Sequence, residues 1–115
     1  MSGRERVVFL DRAAFTADEL PIPAFDHNWS EYPDTDAADI VPRLFWATIA
    51  ITHACPIDAN CLGQLHKLTR MVVTGPAVVD ADVCAGRGIA VWHLPASDAP
   101  GLALIRLLET LVNNA

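Results

Sequence analysis

Residues 72–95 constrain the fold more than any other stretch of this chain. Val72-Val73-Thr74-Gly75-Pro76-Ala77-Val78-Val79-Asp80 is followed nine residues later by Ile89-Ala90-Val91-Trp92-His93-Leu94-Pro95. The spacing predicts a strand, a Gly-Pro turn, a short helix capped by Asp80 and ended at Gly86 or Gly88, and a second strand. A helix between two apolar strands makes the pair parallel, and parallel sheets need helices on both faces. The rest of the chain repeats the pattern. Val7 to Asp11 is an apolar run closed by a carboxylate, Trp29 to Tyr32 a weaker edge strand, and Trp46 to Thr52 a third strand. Between them, Thr35 or Asp36 can cap a helix over residues 37–45, which Pro42 should distort. Asp58 can cap a second helix carrying Cys61, Leu62, Leu65 and Leu68. The fold expected is α/β: a doubly wound, five-stranded parallel sheet over residues 1–96, followed by an apolar helix over 97–115.

That last segment stands apart. From Leu102 onward only Arg106, Glu109, Thr110 and Asn113 are polar before the final residues, and they form a narrow stripe at helical spacing. So wide an apolar face points to cover from more than one side. Leu104, Ile105, Leu108 and Leu111 are therefore candidate interface residues, with a homodimer or another partner as the expected cover.

With 115 residues the chain has room for one core. Its net charge of −6 and scattered basic residues argue against nucleic acid. No apolar run reaches the roughly 18 residues that a bilayer span needs. Three cysteines, an odd number, and an N-terminus lacking an apolar signal core fit a reduced, cytoplasmic protein. His53 and Cys55 lie close to Cys61, but no second Cys/His pair completes a zinc set, so no metal is expected. A Cys-His nucleophile is equally unsupported, because adjacent side chains on an extended segment point apart. Asp80 and Asp82 read as helix-start chemistry, and Asp11 as a strand-end turn former.

Several of these pieces, taken in order, resemble the D-isomer-specific 2-hydroxyacid dehydrogenases, a family that includes glycerate dehydrogenases. The carriers are Val7-Val8-Phe9-Leu10-Asp11, Trp29-Ser30-Glu31-Tyr32, residues 49–58 (Ile-Ala-Ile-Thr-His-Ala-Cys-Pro-Ile-Asp), Leu65-His66-Lys67-Leu68, and the two stretches over 72–95. The resemblance implies the flavodoxin-like substrate domain of that family. Ligands of such sheets bind beyond the C-terminal strand ends. It also implies that the loop from Thr74 to Val78 offers backbone N–H groups to a small carboxylate. His53, Thr74, Gly75, Ala77 and His93 are the candidate ligand residues.

The chain departs from the family pattern at telling places. Pro76 has no N–H, Ala77 and Val78 stand where the family prefers Asp and Asn, and Ala54 replaces a frequent basic residue. Leu102-Ala103-Leu104-Ile105 replaces the polar start of the family's dimer helix. No G-x-G-x-x-G occurs, so no dinucleotide site is expected within these residues. The family's catalytic Arg, Glu and His have no counterparts here, and no catalytic residue is assigned. The expectation is a truncated, standalone substrate-domain relative, inactive alone, that binds a small ligand or a protein. The alternative is the substrate half of a split NAD-dependent oxidoreductase, with NAD held by a nucleotide-domain partner.

Overall fold

The computed structural model describes residues 4–16 and 19–113. Five strands, β1 (Glu5–Phe9), β2 (His27–Glu31), β3 (Ile49–Thr52), β4 (Arg70–Val73) and β5 (Ala90–His93), form one sheet in the order β2-β1-β3-β4-β5. Every neighbouring pair is parallel. This is the flavodoxin-like arrangement. All four residues of β3 are buried, as the centre of a doubly covered sheet requires. The outer strand β2 is half polar, with Asn28, Ser30 and Glu31 exposed.

Side chains alternate across the sheet, so each strand feeds two cores. Val8, Ala50 and Met71 face α1 (Ile40–Leu44), α2 (Ala59–Leu62) and α3 (Ala81–Gly86). Val7, Phe9, Ile49, Ile51 and Val72 face α4 (Pro100–Asn113) together with Phe15. Among the described residues no helix is long and apolar enough to cross a membrane.

Two expected caps are present. Asp58 accepts from the Cys61 N–H at 2.9 Å, and Asp80 accepts from the Val83 N–H at 3.1 Å. Gly88 supplies the left-handed residue after α3, with φ 74°, and the Ile89 N–H returns to the Cys84 carbonyl.

Other expectations need correction. The helix expected over residues 37–45 comes in two pieces. A 3-10 turn over Ala37–Asp39 comes first and α1 restarts at Ile40, so Pro42 is the third helical residue, where an N–H would lack an intrahelical partner anyway. Trp46 is 60% exposed and lies before β3, which begins only at Ile49. Leu65 and Leu68 are buried as expected but lie beyond α2, which ends at Leu62. The candidate interface residues Leu104, Ile105 and Leu108 are at most 2% exposed, because α4 packs on its own sheet. They are unavailable to a partner while that packing holds. Leu111 is half-buried beside them.

Candidate functional site

In this strand order the chain runs to opposite sides after β1 and β3, and the crevice between their C-terminal ends is where such sheets take ligands. Here the crevice is closed by the chain itself. Asp11, 5% exposed, follows β1 and turns its carboxylate across to the segment after β3. Its Oδ1 accepts from the His53 N–H at 2.8 Å and its Oδ2 from the Ala54 N–H at 2.7 Å. Two main-chain donors that could meet an external anion are held by an internal one. Thr52 continues the turn, its hydroxyl donating to the Cys55 carbonyl and accepting from the Cys55 N–H.

This clamp fixes where His53 goes. The imidazole lies against the loop that follows β4, with Nδ1 3.0 Å from the Thr74 hydroxyl. A Cβ placed on Gly75 would come within 2.7 Å of three atoms of that ring. Any side chain at this position would have to displace the His53 ring. Phe15 supports the ring from the α4 side, with centroids 6.2 Å apart.

The loop itself has few donors left. The Thr74 N–H binds the Thr52 carbonyl and the Ala77 N–H binds the His53 carbonyl. Pro76 has none to give. Gly75 and Val78 are the loop positions whose N–H groups make no backbone hydrogen bond among the described residues. Val78 is 74% exposed. Further along, Ile57 and Val79 form an isolated parallel bridge, with the Ile57 N–H on the Val78 carbonyl at 3.0 Å and the Asp80 N–H on the Ile57 carbonyl at 3.2 Å.

The structure thus brings His53, Thr74, Gly75 and Ala77 together. His93 stays apart: it is exposed at the end of the outer strand β5, aligned with Val73, and the hydrogen-bond and ring partners of the His53 side chain are Thr74 and Phe15 instead. The partners that the sequence did not offer are Phe15 and the Asp11 clamp. The only signal for the latter was a carboxylate closing an apolar run. Beside the clamp, Arg12, Phe15, Glu31 and Pro33 line an open groove of about 500 Å³ at the ends of β1 and β2. Arg12 there donates to the Phe15 carbonyl and stands 3.9 Å from Glu31.

Burial pushes the thiols of Cys55 and Cys84 above the usual range, and the nearby Asp11 and Asp80 carboxylates act in the same direction. These are poor nucleophiles. Among the described residues no three His, Cys, Asp or Glu side chains converge on a point where a metal ion would sit. Gly86 and Gly88 end α3 instead of opening a helix, and the space above Gly75 holds the His53 ring.

No family model matches the chain. Over 92 residues it is 36% identical to a Haemophilus influenzae protein assigned to the 2-hydroxyacid dehydrogenases, an alignment covering 77% of this chain and 29% of that protein. It is 38% identical over 93 residues to a glycerate dehydrogenase of Methylorubrum extorquens, covering 78% and 29%. The chain belongs to the D-isomer-specific 2-hydroxyacid dehydrogenase family. It spans under a third of the length of those relatives. A phosphoglycerate oxidoreductase from Vibrio cholerae shares its fold, with a TM-score of 0.63 at 20% identity over 81% of this chain and 32% of that one.

Proposed function

We propose that this chain acts as a substrate-side domain of the 2-hydroxyacid dehydrogenase type, binding a small 2-hydroxy or 2-oxo carboxylate. It carries out no hydride transfer by itself. The observation that carries this reading is the packing of His53 on Gly75, which sets an imidazole against a loop whose Gly75 and Val78 N–H groups make no backbone hydrogen bond among the described residues. Converging donors on a glycine loop are what a carboxylate seeks. The Asp11 clamp limits the ligand to this outer loop, because the inner donors at His53 and Ala54 are already occupied. Hydride transfer then requires a nucleotide-binding domain from elsewhere, on the same polypeptide or a separate one.

The test is an amide and imidazole NMR titration of the chain with D-glycerate and with glyoxylate. Saturable shifts at Gly75, Val78 and the His53 ring are expected, and Gly75→Ala should abolish them by displacing the ring. Silence at these positions up to about 10 mM, where even a weak contact worth about 3 kcal/mol registers, overturns the reading. NADH oxidation by the purified chain with hydroxypyruvate would overturn the claim that it lacks hydride transfer.

A further inference from the structure

A second groove lies on the flank of the sheet, between the outer part of β1 and β2 and the end of α1. It has a volume of about 300 Å³, and Arg6, Asn28, Ser30, Tyr32, Arg43 and Trp46 are among its lining residues. No carboxylate lines it, in a chain with 14 acidic residues against 8 basic ones. That concentration of positive charge is the first sign of an anion site.

The hydrogen-bond inventory is the second. Arg6 and Asn28 are register partners, as are Val8 and Ser30, so Arg6, Asn28 and Ser30 present their side chains on one face. The Arg6 guanidinium makes no hydrogen bond or ion pair among the described residues, and neither does the Ser30 hydroxyl. Asn28 accepts from Arg4 through Oδ1 at 3.3 Å, which leaves its amide N–H groups as donors. Arg43 closes the far side. It is held 4.0 Å over the Tyr32 ring and bound to the Asp34 carbonyl and the Thr35 hydroxyl, with Asp39 4.0 Å away. It adds charge in a fixed position.

Trp46 is the third sign. Its indole is 60% exposed at the mouth of the groove, propped edge-on by Phe45 at 5.2 Å. An exposed indole lining the same groove as a guanidinium offers stacking and charge together.

We propose that this groove binds a small aromatic anion, a planar ring bearing a phosphate or carboxylate. The ring stacks on Trp46, and the anionic group takes Arg6, Asn28 and Ser30. The volume sits at the small end of ligand pockets, which suits a single ring. This site is separate from the Gly75 loop, and its failure would leave the reading of that loop standing.

The experiment is a titration of the chain with phenyl phosphate, followed by amide NMR and tryptophan fluorescence. Inorganic phosphate, benzoate and phenol serve as comparison probes. Saturable shifts at Asn28, Ser30 and the Trp46 indole N–H are expected, with phenyl phosphate binding at least about fivefold tighter than inorganic phosphate or phenol. Benzoate should bind at the same residues. Arg6→Gln and Trp46→Ala should each weaken binding by about fivefold or more, and added salt should weaken it further. Both residues are exposed, so an unchanged Tm is expected to accompany the loss. Equal binding of inorganic phosphate and phenyl phosphate, binding unaffected by either substitution, or shifts confined to the Gly75 loop would each overturn the proposal.

Discussion

The two faces of the sheet are covered in opposite ways. On one side α1, α2 and α3 have five, four and six residues, each too short to hold together alone. They persist because carboxylates cap two of them and loop residues such as Ile57, Leu65 and Leu68 fill the core between them. On the other side a single helix of 14 residues lies across β1, β3 and β4, with Leu104, Ile105 and Leu108 buried among strand side chains. One face is a mosaic of local contacts, and the other a single packed unit. Damage should therefore stay local on the first and spread on the second.

The sharpest way to break this contrast is Leu104→Ala. It removes a fully buried side chain from the single-helix face and should cost about 2–5 kcal/mol, read as a fall in the urea midpoint. A loss under about 1 kcal/mol would mean that α4 is not the unit described.

Asp11→Asn comes next, because Asp11 ties the end of β1 to the end of β3 and so serves both faces. The amide keeps one acceptor oxygen, so losing one of the two hydrogen bonds and the charge behind the other should cost roughly 1.5–3 kcal/mol and release the His53 ring from Gly75. Thermal melting and the His53 ring resonances measure the two effects. A destabilised protein with an unmoved ring would show that Thr74 alone positions the imidazole.

Asp80→Ala should cost only about 1 kcal/mol, and amide exchange should quicken in α3 while α4 stays protected. Equal loosening of both helices would erase the distinction between the faces.

The smallest effect is chemical. All three thiols have their pKa raised, chiefly by burial, so alkylation should be slower than for a free thiol. Cys61, half-exposed, should react first. Cys84, on the buried side of α3, should become reactive in mild urea before α4 unfolds, as peptide mass spectrometry would show.

Much of this architecture was legible in the chain. The apolar runs around Val7, Ile49 and Val72 became strands because few other arrangements bury three such runs. The Asp58 and Asp80 caps followed from local chemistry. Helix extent was less legible, since Leu65 and Leu68 keep a helical spacing while packing from a loop, and burial alone rewards that spacing. The cover of Leu104, Ile105 and Leu108 on α4 was hard to read for a similar reason: a wide apolar stripe does not say whose surface covers it. At the candidate site, Thr74 and Gly75 could be read from the motif. His53 was a candidate too, but its packing on Gly75 depends on the β3–β4 pairing, and the Asp11 clamp was not legible because it depends on β1 and β3 being neighbours. The Arg6–Asn28–Ser30 face was hidden too, since it exists only through the β1–β2 register.

The bridge between Ile57 and Val79 has a mechanical consequence. It bolts the loop after β4 to the segment that leads into α2, so neither can shift without dragging the other. Displacement at Gly75 would be transmitted along Val78 and Val79 to Ile57, and from there to the Asp58 cap and Cys61. The half-exposed sulfur of Cys61 is thus a built-in attachment point for a dye that reports, from outside the crevice, on what happens within it.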